Sequence, residues 1–184
     1  MQLSEWAEGH ARNLLEPLHT RWHHAEAVAA VARTFAFGLL TEDEDVLVAA
    51  AYLHDVGYAP ELAATGFHPL DSARYLRSLG HDRLAGLVAH HTGSAYEAKL
   101  RGHEEALAAF GNERSLVTAA LAYSDLTTGP DGQRMTPGER LLDVERRYGA
   151  DSVVAKGLRA AWPGLMELLA EEAMLRAPVT DHPM

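Results

Sequence analysis

The sequence predicts an all-α fold, a compact helical bundle of roughly six to nine helices. Three observations carry this. Apolar residues recur at i, i+3 and i+4 along most of the chain. Capping residues and Gly or Pro stops punctuate those runs. No segment alternates apolar and polar side chains as a half-buried strand does, and no internal repeat is found. At 184 residues the chain suits one domain, residues 1–184, and is short for two.

The elements follow in order. In HHAEAVAAVARTFAFGLL, Val28, Val31, Ala32, Phe35 and Leu39 mark the apolar stripe of a helix. Thr41-Glu42-Asp43-Glu44 reads as a capping box, with Thr41 as N-cap. The helix it opens runs through Leu53 to about Asp55, and Gly57 and Pro60 end it. Pro69 suits the first turn of a helix that stops at Gly80. Another helix is expected from Asp82 to His91, followed by Thr92-Gly93. SAYEAKLRGHEEALAAFGNE is one helix or two, with a break near Gly102. Ser115 to Asp125 is strongly apolar, and TGPDGQRM is a loop by its Gly and Pro content. Thr136-Pro137-Gly138-Glu139 repeats the capping-box pattern. It opens a C-terminal helical extension, 136–176, in which Pro163 is expected to be a break. Residues 177–184 read as a frayed tail.

Composition removes several function classes. A formal net charge of -10 with no Lys/Arg cluster makes a poor grip for a nucleic-acid polymer or an anionic membrane. A small anionic substrate stays open, because a bound cation supplies positive charge locally. With no cysteine there is no disulfide, thiolate nucleophile or Cys-rich zinc site. The N-terminus shows no basic start followed by an apolar run, and no stretch approaches the roughly 18 apolar residues of a membrane span. A cytoplasmic location is therefore expected, and a homo-oligomer is left open.

The chemistry lies in the histidines and aspartates. Of eleven histidines, His24, His54, His68, His90 and His91 fall at the ends or inner faces of apolar helices. The segment AAAYLHDVGY ends a buried-looking helix on His54-Asp55, and AALAYSD ends another on Asp125. Carboxylates are rarely buried without a partner. Two such aspartates among inward histidines make a poor core unless a cation satisfies them together. Nitrogen and oxygen ligands without sulfur suit Mn, Fe, Co, Ni or Zn, with Mg the weaker candidate.

Five segments in order complete the pattern: RWHHAEAVA (Arg21 to Ala29), LHDVG (Leu53 to Gly57), HPLDSA (His68 to Ala73), VAHHTG (Val88 to Gly93) and AYSD (Ala122 to Asp125). Together they resemble the HD-domain metal-dependent phosphohydrolase superfamily, with a motif core over 21–128. The resemblance implies an HD-type bundle holding one or two divalent transition-metal ions. His24 rather than His23 would be the first ligand, His54 and Asp55 the signature pair, and Asp125 the closing ligand. His68 and one of His90 or His91, with His91 the better match, resemble the extra histidines of two-metal subgroups. His54 and Asp55 would be the catalytic pair, Asp55 bridging metals or orienting the attacking water.

The implied activity is hydrolysis of a small phosphorylated metabolite, a nucleotide or dinucleotide. Arg21, Tyr58, Thr92, Lys99 and Arg134 are the candidate substrate contacts, with Tyr96, Arg101 and Arg140 behind them. Trp6 and Trp22 are candidates for stacking on a base, though core packing is the commoner use of such residues. Two departures matter. No acidic residue follows the His-Asp pair until Glu61, unlike some nucleotidases of the superfamily. Tyr58 stands where a related di-iron oxygenase subgroup has a further histidine. The alternatives are that oxygenase activity and a non-catalytic nucleotide-binding module.

Overall fold

Every side chain from Leu47 to Leu53 is buried, and the molecule is built around that run. A helix that is apolar all round has no solvent face to keep and must be enclosed by others. This helix, α3, spans Thr41–Leu53. Before it come α1 (Leu3–Leu15) and α2 (Thr20–Ala36). After it come α4 (His68–Ser78), α5 (Asp82–Ala89), α6 (Ser94–Arg101), α7 (Glu104–Ala108), α8 (Leu116–Leu126), α9 (Pro137–Tyr148) and α10 (Val153–Arg176). The structure, a computed structural model, describes residues 2–36 and 39–176, the side chains of 36 and 171–176 excepted. The expected frayed tail, 177–184, lies outside the described residues.

The fold is all-α: among the described residues there is no strand, and the α8–α9 loop holds an isolated bridge between Thr128 and Arg134. The described residues form ten α-helices, above the expected six to nine, in part because Gly102, at φ 74°, separates α6 from the short α7. α1, α2, α5 and α8 pack on α3. Ala49, Ala50 and Ala51 are fully enclosed, and side chains of a single methyl let the neighbouring backbones come close. A smaller cluster, Ala122 and Leu126 of α8 against Ala161 and Leu165 of α10, fastens the C-terminal extension to the bundle.

Several boundaries differ from expectation for local reasons. Leu40, not Thr41, is the N-cap of α3, and no side chain caps it. The three acids Glu42, Asp43 and Glu44 in its first turn complement the positive end of the helix dipole instead. The second box does form: the Thr136 hydroxyl accepts from the Glu139 amide at 3.2 Å, and Glu139 accepts from the Thr136 amide at 2.7 Å. Pro163 does not break the chain but lies inside α10. Its exposed position leaves the carbonyl it strips of an amide partner open to water. Leu39 falls beyond α2, α3 stops at Leu53 and α5 at Ala89. The last two stops place His54-Asp55 and His90-His91 in the turns that leave the helices.

Candidate metal centre

α3 and α8 are both wrapped in apolar neighbours, and both deliver a buried aspartate at their C-terminal end, Asp55 and Asp125. A helix C-terminus carries partial negative charge, so each carboxylate adds to a potential that calls for a cation. Around them the structure gathers two groups of ligand atoms, each within 4.8 Å of one another: His24, His54 and Asp55, and Asp55, His68 and His91. Asp55 belongs to both. Neither group includes Asp125, which reaches the first through a 3.1 Å contact between its Oδ1 and His24 Nε2.

Backbone carbonyls fix the orientation of three rings. His24 Nδ1 donates to the Gly129 carbonyl at 3.0 Å, His54 Nδ1 to Ala51 at 2.7 Å and His91 Nδ1 to Val88 at 2.6 Å. A neutral imidazole that donates from Nδ1 keeps a bare lone pair on Nε2. All three Nε2 atoms face inward. Between that of His24 and the Asp125 Oδ1, 3.1 Å apart, a proton or a cation must sit, and that of His91 lies 3.3 Å from the His68 Nε2. The Nε2 of His54 is buried with no hydrogen-bond partner, 3.6 Å from an Asp55 oxygen. Protonating every ring would crowd cations whose centroids lie 5.2 Å apart, His24 to His54 and His54 to His91. A metal ion satisfies lone pairs and carboxylates together, and the carbonyl bond behind each ring is the support that metal-ligating histidines carry. The donor set fits a divalent cation.

The ionisation states suit that use. Burial pushes His68 well below the ordinary histidine range, against the pull of Asp55, and burial also lowers His91, with His54 adding to the effect. Burial raises Asp55, but His54, Arg21 and His68 outweigh it and hold the carboxyl far below its ordinary value. Asp125 is held down likewise, burial being outweighed by the His24 bond and by Arg140. Ionised carboxylates and neutral His68 and His91 are ready to bind without first losing protons.

Ser72 braces the His-Asp turn, accepting from the Gly57 amide at 2.7 Å and donating to the His54 carbonyl at 3.1 Å. A Cβ on Gly57 would strike the His68 carbonyl and lie 2.7 Å from the Ser72 amide nitrogen. Only glycine lets α4 lie this close to the turn.

The ligand groups open into a cleft whose enclosed part is about 100 Å³. Arg21 Nη1 donates to Asp55 at 2.9 Å and Nη2 to the Tyr148 hydroxyl at 3.1 Å. Tyr58 is sandwiched between the Arg21 guanidinium, 3.6 Å from its ring centre, and the His68 ring at 4.2 Å. The Thr92 hydroxyl donates to Asp125. All three residues line the cleft.

Other sequence candidates lie elsewhere. His90 leaves the ligand set: its Nε2 donates to the Phe110 carbonyl at 3.1 Å, because the turn after α5 sends neighbouring side chains in different directions. Lys99 is on the exposed face of α6, whose residues at the cleft are Ser94 and Glu97. Arg134 is exposed and lines a separate surface depression with Glu139 and Arg146. Neither is a cleft residue. Tyr96 is half exposed and Arg101 pairs with Glu97. Trp22 is buried in the core beside Tyr52, and Trp6 packs against His10 and His81.

Arg147 and Tyr148 line the cleft but were not singled out in the sequence. They and Arg140 come from α9, where buried Asp143 accepts from Arg147 Nε and Arg146 Nη2 at 2.7 Å each. Arg140 is less well matched. Its Nη2 is 3.5 Å from Asp125, and its Nη1 is buried without a hydrogen bond. The only signal in the sequence is the i, i+3, i+7 spacing of Arg140, Asp143 and Arg147, which an ordinary solvated helix face shares. From α10, Val154, Gly157 and Leu158 close the far wall.

A comparison with protein families matches the HD domain over residues 21–144. Comparisons with curated proteins and with solved structures give no match.

Proposed function

The chain belongs to the HD-domain metal-dependent phosphohydrolase superfamily, and we propose that it hydrolyses the phosphoric ester or anhydride of a small metabolite, a nucleotide or dinucleotide. The observation that carries this is the buried, unpaired Nε2 of His54 beside a carboxylate shared by two ligand groups. His24, His54, Asp55 and Asp125 would hold one divalent cation, and Asp55, His68 and His91 a second. A cation there supplies Lewis acidity and lowers the pKa of a coordinated water toward about 7.

The chain's own residues do the rest. Arg21 orients Asp55 and lines the cleft, one face of its guanidinium lying on the Tyr58 ring. Arg140, whose Nη1 makes no hydrogen bond and lies 3.8 Å from an Asp143 oxygen, would take a phosphoryl oxygen, the planar fork being well suited to such oxygens. Asp55 and Asp125 are each already faced by one guanidinium. A bound dication therefore leaves a positive excess, which a phosphoryl group cancels. The small enclosed volume admits the reacting group, and the remainder of the substrate would extend past Tyr148 and Leu158.

Phosphate release tests the reading. The chain, stripped and reloaded with Mn, Co, Ni, Mg or Fe(II), would be run over nucleoside mono-, di- and triphosphates, dinucleoside polyphosphates and sugar phosphates. Metal-dependent turnover that disappears in Asp55→Ala is expected. Silence across the panel, with iron bound and oxygen consumed, would replace hydrolysis by oxygenase chemistry.

A further inference from the structure

The three arginines of the cleft have a second side. Arg21, Arg140 and Arg147 also line a separate recess of about 50 Å³, completed by Thr20, His24 and Pro130. No acidic side chain is among these lining residues, although each guanidinium is paired from behind, Arg21 with Asp55, Arg140 with Asp125 and Asp143, and Arg147 with Asp143. In a chain of net charge -10 this local composition is unusual: three fixed positive charges, a hydroxyl and an imidazole around a space several times what a single water needs, about 10–15 Å³. The arginines are not free to swing away. Arg21 is pinned by Asp55 and Tyr148, and Arg147 by Asp143 through Nε. Among the described residues no hydrogen bond engages the terminal nitrogens of Arg147. Arg140 adds its Nη1, which makes no hydrogen bond and lies 3.8 Å from an Asp143 oxygen. Pinned guanidiniums with spare N–H groups bind tetrahedral oxyanions at little cost in side-chain entropy.

We propose that this recess is a second phosphoryl-binding site, adjoining the metal centre through His24 and divided from the cleft by the same three guanidiniums. Asp143 is its positioning residue, holding Arg147 in place from behind. The ligand is a tetrahedral oxyanion: the second phosphoryl group of a diphosphate-containing substrate, or the inorganic phosphate that hydrolysis frees. Only the origin of that phosphate rests on the phosphohydrolase reading; the binding itself does not.

Inorganic phosphate, titrated calorimetrically into the metal-stripped full chain, tests the site without any turnover. Saturable binding is expected, weakened about tenfold or more in Arg147→Met, with Arg134→Ala unchanged as the control for general loss of charge. Thermal melts establish that both variants fold. Absence of saturable binding in the parent chain, or equal binding by a folded Arg147→Met, would overturn the proposal. With turnover in hand, the two sources separate. If the recess takes a second phosphoryl group, Arg147→Met raises KM for a nucleoside diphosphate by a larger factor than KM for the monophosphate. If it takes freed phosphate, the variant weakens product inhibition by a larger factor than it changes either KM. Phosphate binding without turnover of any substrate would leave the recess standing and the hydrolase reading refuted.

Discussion

The Thr92 hydroxyl donates to Asp125 at 2.5 Å from a backbone held at φ 50° and ψ 33°. A β-branched residue in the left-handed region is strained. Here the turn after α5 must deliver His91 inward and then enter α6 through Gly93, also at positive φ. The strain is held by a bond to one of the two buried carboxylates of the site.

Thr92→Ser should keep the bond with less crowding at Cβ, and so retain both activity and stability. Thr92→Val keeps the shape, loses the donor and leaves Asp125 with one partner fewer. A loss of about 1–2 kcal/mol is expected, with weaker metal binding. Urea unfolding and metal titration of the pair would check this; equal behaviour of Ser and Val would remove the hydroxyl from the account.

Gly57→Ala should destabilise by about 1–3 kcal/mol, since the added methyl must push α4 from the His-Asp turn. Metal affinity should fall with stability, because His68 opens α4. A variant as stable as the parent would contradict the close packing of Gly57 on Ser72.

The N-terminus of α1 is held by Asp45, whose two oxygens accept from the Leu3 and Ser4 amides at 2.7 and 2.9 Å. Burial raises this carboxyl, but its bonds to Ser4 and Leu3 outweigh that and keep it below the ordinary aspartate value. A group depressed in the folded state stabilises above its unfolded pKa, near 3.9, and loses that contribution as pH falls through the lower folded value. Asp45→Ala should therefore cost about 1 kcal/mol at pH 7 and progressively less below pH 4. Melting curves across pH 3–7 would show the difference narrowing; a constant gap would mean that ionisation is not involved.

What could be read from the sequence was whatever is written locally. Two apolar helices ending in aspartate, and histidines beside them, needed no tertiary knowledge to mark a cation site, and Thr136 with Glu139 spelled its own cap. The arginines of α9 carry no such mark: their function comes from where α9 lies against α8 and α10, with Tyr148 bonded to Arg21 of α2, a distance in sequence that periodicity does not reach. His91 was preferred to His90 in the sequence only by resemblance, because the choice is made by one turn of backbone. Lys99 and Arg134 lie near motif residues in sequence but on outward faces in space. Pro163 read as a break because a local rule ignores whether the freed carbonyl faces water.

Lys99→Ala and Arg134→Ala should therefore leave kcat and KM within about twofold of the parent. Arg140→Ala should lower kcat/KM by tenfold or more, as removal of a charge-assisted contact of about 1.5–3 kcal/mol implies. Steady-state kinetics on the best substrate of the phosphate panel would separate the two groups, and a large effect of Lys99→Ala would displace the cleft assignment.

The central claim is that Asp55 joins two sets of inward histidines into a site for divalent cations. Calorimetric titration of Mn(II) into the stripped chain, beside Asp55→Asn, tests it most directly, with melting curves to show that the variant folds. Binding by the parent chain and a loss of about a hundredfold or more in Asp55→Asn is the expected result. Equal binding by both, or none by the parent, would contradict it.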